Sequence, residues 1–207
     1  MPLAVNTREV YDGLAALYVP IAVAVFGLVT LAVIVFAWRG RRRDAPRGPD
    51  ENNRFELVYA GLLAVVVAVL LGFTYRAIDR ENARAAGPPL VIRVTAAKWD
   101  WRFEYPGGHV ETGSPNGAPA LLTVPAARQV EFQATSVDVI HGFWVPALKF
   151  QRQVIPGQTS TFRLVFPRPG FTSSGTCSFF CGLEHARMRF AIRVLSQSDY
   201  DAWARSS

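Results

Sequence analysis

Two stretches of the 207-residue chain carry no Asp, Glu, Lys or Arg: 26 residues from Gly13 to Trp38 and 19 from Leu57 to Tyr75. An apolar helix of about 20 residues crosses a bilayer core, so the pattern predicts two transmembrane helices, over about residues 13–38 and 55–76. The first run is longer than the apolar core of a signal peptide and a second span follows closely, which marks it as a retained helix. The connector holds Arg39, Arg41, Arg42, Arg43, Arg47 and Arg54 against Asp44, Asp50 and Glu51. Short arginine-rich loops stay on the cytoplasmic side. The hairpin loop is therefore expected inside and both chain ends outside, with Trp38 and Tyr75 at the membrane interfaces.

Beyond Tyr75 the charged and then Ala-, Gly- and Pro-rich segment RAIDRENARAAGPP reads as a stalk, and the period of the pattern then changes. From Lys98 to Tyr105 aromatic residues (Trp99, Trp101, Phe103, Tyr105) alternate with charged ones (Lys98, Asp100, Arg102, Glu104), which predicts a strand with one aromatic face. Further strands are expected at Leu90–Ala97, Pro119–Val124, Gln129–Thr135, Ser160–Phe166 and Met188–Leu195, between clusters of Gly, Pro, Asn and Ser. Short strands at this spacing, with no helical periodicity among them, predict an antiparallel sandwich or Greek-key barrel. The organisation expected is residues 1–87 as N-terminal segment, transmembrane hairpin and linker, followed by an all-β domain over 88–207.

Composition agrees with this division. Half the residues are hydrophobic and the mean hydropathy is +0.17, which excludes a purely soluble cytosolic protein. The formal net charge of +6 separates into a topology signal in the connector and a basic outer domain. From Pro88 onward there are 12 basic residues against 8 acidic ones, a net of +4. The flanking spans argue against reading the arginine loop as a nucleic-acid site, and no nucleic-acid partner is expected. The two cysteines are too few for a disulfide-stapled scaffold.

Those cysteines lie in CSFFCGLEHARM, which places Cys177, Cys181, His185 and Met188 within twelve residues; His141 follows upstream strand residues in SVDVIHGFWVP. Thiolate, imidazole and thioether together favour copper over magnesium or calcium, and a thioether counts against structural zinc. A mononuclear blue-copper site uses one Cys, two His and an axial Met, so the second cysteine is either idle or bridging. Two thiolates bridging two coppers, with one histidine on each, would give a dinuclear centre that shares one electron. With Met188 and a backbone carbonyl capping the two coppers, no open position remains for substrate, which points to electron transfer. His109, in a Gly-rich turn, reads as a surface residue, and Asp138 as part of a docking surface or a hydrogen-bonding partner of the loop. The cysteines as a disulfide are the alternative to their use as ligands.

The hairpin, the aromatic strand, the histidine loop and the Cys-x3-Cys-x3-His-x2-Met loop together resemble subunit II of the haem-copper oxygen reductases, cytochrome c oxidase in particular. The resemblance implies a cupredoxin fold for the outer domain. It implies a dinuclear CuA centre of two copper ions on His141, Cys177, the backbone carbonyl of Phe179, Cys181, His185 and Met188, with Trp99 as the point of electron entry. It also implies Glu56 as the entry of a proton path, a haem-copper catalytic subunit as partner, a cytochrome c-type donor, and a multi-pass subunit of the cell membrane with both termini periplasmic. The function expected is transfer of electrons to haem in that partner, where oxygen is reduced to water; no catalytic residue is expected in this chain.

Two departures stand out. Phe179 occupies the position where the family usually has a glutamate that reaches magnesium, which puts a magnesium site in doubt, and Gln151 and Gln153 stand where Lys and Asp are usual. A CuA subunit of a nitric oxide reductase is the alternative these changes raise, and a membrane-anchored copper carrier is another. The basic outer domain points to an acidic or membrane-tethered donor, since a basic one is steered toward acidic faces.

Overall fold

The computed structural model describes residues 7–40, 53–82 and 88–206. They form two compact units, one of residues 12–79 and one that joins residues 80–207 with the N-terminal residues up to Tyr11. In the helical unit, α1 spans Thr7–Gly40 and α2 spans Asn53–Asn82, and both are long and apolar enough to cross a membrane. Large apolar side chains such as Phe26, Leu28, Phe36 and Leu57 point outward, as in helices whose solvent is lipid. The Tyr18 hydroxyl donates to the Leu70 carbonyl at 2.8 Å and pairs with the Thr74 hydroxyl. The start of α1 thus lies beside the end of α2, an antiparallel hairpin. The arginine-rich connector over residues 41–52 and the stalk residues 83–87 lie outside the described residues.

The second unit is a β-sandwich of two five-stranded sheets. Its strands are β1 (Leu90–Ala97), β2 (Asp100–Glu104), β3 (Val110–Thr112), β4 (Ala120–Pro125), β5 (Gln129–Ser136), β6 (His141–Val145), β7 (Phe150–Val154), β8 (Ser160–Val165), β9 (Thr172–Cys177) and β10 (Arg189–Leu195). One sheet runs β3-β2-β1-β5-β8 and the other β4-β10-β9-β6-β7. The β1–β5 and β10–β4 pairs are parallel, whereas the other pairs are antiparallel. Strand alternation sends Ile92, Val94, Trp101, Phe103, Phe132, Leu122, Phe190 and Ile192 into one core. Phe143 stacks on Phe190 at 4.8 Å and Phe132 on Phe162 at 5.3 Å; each such buried ring contributes about 1.5–3 kcal/mol.

Three expectations need correction. Trp99 is not in the aromatic strand: β2 begins at Asp100, and Trp99 sits in the turn before it. The buried face of β2 is filled by Trp101 and Phe103, leaving Trp99 half-buried at the end of the sandwich. The β-domain also closes with a helix, α3 (Gln197–Ser206). The Ser196 hydroxyl accepts from the Asp199 amide at 3.1 Å and caps its first turn, and Tyr200 and Trp203 hold it on the core. His109 is the third. It is half-buried against α3, its ring 5.0 Å from that of Trp203, with Nε2 3.1 Å from Glu111.

The N-terminal turn of α1 belongs to this unit. Thr7 donates to the Leu148 carbonyl at 3.0 Å, Arg8 to the Ala147 carbonyl at 3.2 Å, and Lys149 lies over the Tyr11 ring at 5.3 Å.

Candidate metal centre

Two loops at one end of the sandwich bring five soft or borderline donors together. His141 opens β6 and Cys177 ends β9, strands paired through Phe143 and Cys177. The chain from Cys177 to Met188 is a closed loop: the Cys177 amide donates to the Met188 carbonyl at 2.9 Å, His185 to Gly182 at 3.1 Å and Met188 to His185 at 3.2 Å. A 3-10 turn over His185–Arg187 returns both His185 and Met188 toward the cysteines.

The donor atoms form a continuous chain of contacts. Cys177 Sγ lies 3.9 Å from Cys181 Sγ and 3.7 Å from His141 Nδ1; Cys181 Sγ lies 3.5 Å from His185 Nδ1 and 3.8 Å from Met188 Sδ. The Phe179 carbonyl oxygen is 3.2 Å from Cys177 Sγ. Two ligands about 2.0–2.3 Å from one metal at a tetrahedral angle stand about 3.3–3.8 Å apart, so these spacings suit donors that share a soft metal ion. The ligand atoms of His141, Cys177 and Cys181 all lie within 4.8 Å of one another. His141, both cysteines and Met188 are buried.

Hydrogen bonds set the state of these groups. His141 Nε2 is 2.8 Å from Asp138 Oδ1, which leaves Nδ1 facing the thiol. Burial on its own would raise the Cys177 thiol, but hydrogen bonds from His141 and from the Gly142 and Phe179 backbone outweigh it and bring the pKa down to about 6. Cys181 goes the other way, pushed up to about 12 by burial and by the charge of the Cys177 thiolate. Two thiols this close cannot both ionise cheaply without a cation between them.

A family model for the periplasmic domain of cytochrome c oxidase subunit II matches residues 118–195, the stretch that holds every one of these donors. The chain is 27% identical over 230 residues to a probable cytochrome c oxidase subunit 2 of Streptomyces avermitilis, covering 93% of this chain and 72% of that one. It is 25% identical over 259 residues to cytochrome c oxidase subunit 2 of Mycobacterium tuberculosis, covering 98% and 71%. The crystal structure of the periplasmic domain of subunit II of cytochrome oxidase from Bradyrhizobium japonicum superposes with a TM-score of 0.53 at 28% identity, over 59% of this chain and 96% of that one. By these comparisons the chain is similar to cytochrome c oxidase subunit II along nearly its whole length, most specifically in the periplasmic domain.

The two apolar helices and this similarity point to a membrane protein with a periplasmic domain, and the outer domain has the cupredoxin-like fold of the subunit II periplasmic domain. The family implies copper, and the His-Cys-Cys cluster suits that metal. The remaining candidate residues fall in three places. The Trp99 indole N–H donates to the Cys181 carbonyl at 3.1 Å, which puts it against the cysteine loop. Phe179 turns its ring over Gly142, so its side chain offers no oxygen donor while its carbonyl faces Cys177. Glu56 is in the helical unit, exposed in the first turn of α2. Gln151 and Gln153 are exposed on β7.

Two features were not read from the sequence. Gly142 donates its amide to Cys177 Sγ at 3.5 Å and accepts from Ser178 N at 3.1 Å; a Cβ there would overlap Ser178 Oγ and the Phe179 ring. A glycine directly after a candidate ligand was the available signal. The other is a further bond of Asp138, the residue expected on a docking surface or bonded to the loop: it also holds the turn that carries Trp99, since the Lys98 amide donates to its Oδ2 at 2.7 Å.

Proposed function

We propose that this chain is the electron-entry subunit of a terminal oxidase, taking single electrons from a cytochrome c-type donor and passing them to haem in a haem-copper catalytic subunit that reduces oxygen to water. The observation that carries this is the unbroken chain of donor contacts from His141 through Cys177 and Cys181 to His185 and Met188. In this reading His141, Cys177, Cys181, His185, Met188 and the Phe179 carbonyl would hold two copper ions. The copper pair supplies a one-electron store that needs little rearrangement when its charge changes. The chain's own residues keep it dry and fixed: buried ligands exclude water, Asp138 orients His141, and the Gly142 amide stabilises a thiolate.

Trp99 is the proposed entry point, its indole N–H being bonded to the ligand loop. Oxygen chemistry is left to the partner, because the donor set closes on itself. The placement of Thr7 and Arg8 on the loop at Ala147–Leu148 supports an N-terminus on the side of the β-domain, and hence both termini periplasmic, with the helices in the cell membrane against lipid and partner subunits. Glu56 is proposed as the entry of a proton path; Glu56→Gln in the assembled enzyme should slow turnover, and unchanged turnover would remove that role.

Purified full-length chain, loaded with copper and freed of excess, tests the centre. Two retained coppers per chain and an electron spin resonance spectrum split by both copper nuclei are expected. One labile Cu(I) per chain would overturn the reading in favour of a copper carrier. Reduction of nitric oxide but not oxygen by the assembled complex would move the same electron-transfer role to a nitric oxide reductase.

A further inference from the structure

Asp138 sits between the proposed point of electron entry and the proposed metal centre, and its two carboxylate oxygens divide between them. Oδ1 lies 2.8 Å from His141 Nε2 and accepts from the Val139 amide at 2.6 Å. Oδ2 accepts from the Lys98 amide at 2.7 Å, one residue before Trp99. The Ser136 hydroxyl donates to Oδ1 at 3.3 Å and to the Val139 carbonyl at 2.5 Å, and so holds the 136–139 turn closed around the carboxylate. A second link runs beside these, from the Val137 amide to the Ala96 carbonyl at 3.1 Å.

We infer that Asp138 is a positioning residue with two separable duties: through Oδ1 it fixes the ring of His141 so that Nδ1 faces Cys177, and through Oδ2 it holds the Trp99 turn against the same loop. Both oxygens are committed to internal bonds, so the carboxylate is a structural strut and not a free charge for a docking partner. The inference rests on the electron-entry reading for its functional meaning, while the strut itself is a property of the metal-free chain.

The two oxygens allow the duties to be tested apart. Asp138→Asn keeps a carbonyl oxygen for His141 and Val139 but replaces the Lys98 acceptor with an NH2 group, which cannot accept. Asp138→Ala removes both acceptors. In the metal-free full-length chain, amide hydrogen exchange at Lys98 should quicken about tenfold or more in both variants, as expected for loss of a bond to a charged acceptor, while Val139 quickens only in the alanine variant. After copper loading, the asparagine variant should keep the wild-type copper spectrum and lose several-fold in its rate of reduction by a reduced c-type cytochrome; the alanine variant should also show an altered copper spectrum and faster copper loss to a chelator.

Unchanged Lys98 exchange in the asparagine variant would overturn the strut to the Trp99 turn, whatever the copper result. A wild-type copper spectrum in the alanine variant would overturn the positioning of His141. A wild-type chain that takes up no copper, with the Lys98 and Val139 exchange pattern as described, would uphold the strut and overturn the electron-entry reading instead.

Discussion

The Trp99 indole N–H donates to the main-chain carbonyl of Cys181 at 3.1 Å, and the flat face of Gly182 lies under the same ring. A Cβ on Gly182 would approach the indole at 3.2 Å, and Gly182 has φ +117, where a side chain is strained. The ring is therefore seated on the cysteine loop by one hydrogen bond and one glycine. Trp99→Phe keeps an aromatic face and removes the donor. Reduction of the copper-loaded chain by a cytochrome should slow by about tenfold, about 1.4 kcal/mol of barrier, with copper content unchanged. Stopped-flow reduction beside a metal assay measures both, and a wild-type rate would remove Trp99 from the entry path.

Gly142→Ala should damage the site without replacing a proposed ligand. The added methyl group would overlap Ser178 Oγ and the Phe179 ring, which hold the loop through the Ser178 amide bond to the Gly142 carbonyl. Overpacking of this kind costs about 1–3 kcal/mol, or about 3–6 °C per kcal/mol in the melting temperature of a domain of this size. A calorimetric scan should show that fall, and copper should leave for a chelator faster than from wild type.

The strands that the sequence revealed are those with long alternation. Leu90–Ala97 is found as expected, because its buried and half-exposed residues alternate along the whole strand. Four strands escaped. Val110–Thr112 has three residues; His141–Val145 and Phe150–Val154 do not alternate along their length, one being buried at four of five positions and the other exposed at three in a row; Thr172–Cys177 is polar because a glycine and small residues lie under the Phe190 ring. Around the candidate metal centre the residue types marked which side chains would cluster, since thiols and imidazoles at this spacing have few other reasons to meet. What stayed hidden was carried by the backbone: the Gly142 amide on sulfur, and the Lys98 amide on Asp138.

Asp100 gives the β-domain a pH-dependent component. Burial raises its carboxyl above the usual 3.8, although hydrogen bonds from the Trp101 and Gly113 amides partly offset this; the Trp101 amide is 2.7 Å from Oδ1. An acid with a raised folded-state pKa binds its proton more tightly folded than unfolded. Its stabilising contribution is thus fully present below about pH 3.8 and is lost as pH rises through the folded value. Asp100→Asn keeps the acceptor oxygen without the charge. The variant should melt no lower than wild type at pH 7, and the difference between them should shift in favour of wild type as pH falls toward 4. A difference that does not change with pH would show that the charge is not what Asp100 contributes.

The surface around the ligand loop argues for a particular kind of donor. Phe180 and Leu183 are 85% and 91% exposed on that loop, and Val137 and Ile140 are exposed beside His141. Of the two carboxylates in these segments, Asp138 is occupied by internal bonds and Glu184 is paired with Arg187 at 3.2 Å. With 12 basic residues against 8 acidic from Pro88 onward, the domain lacks the acidic excess that would steer a basic cytochrome. An apolar contact patch on a basic domain suits an acidic or membrane-tethered donor, whose encounter gains from the positive charge and whose dwell gains from apolar burial. Reduction by an acidic soluble cytochrome should therefore slow as salt screens the attraction, and Leu183→Ala should lower the rate at every ionic strength. Reduction by a strongly basic cytochrome should be slower at low salt and should not weaken with salt; fast, salt-sensitive reduction by the basic donor would overturn this assignment.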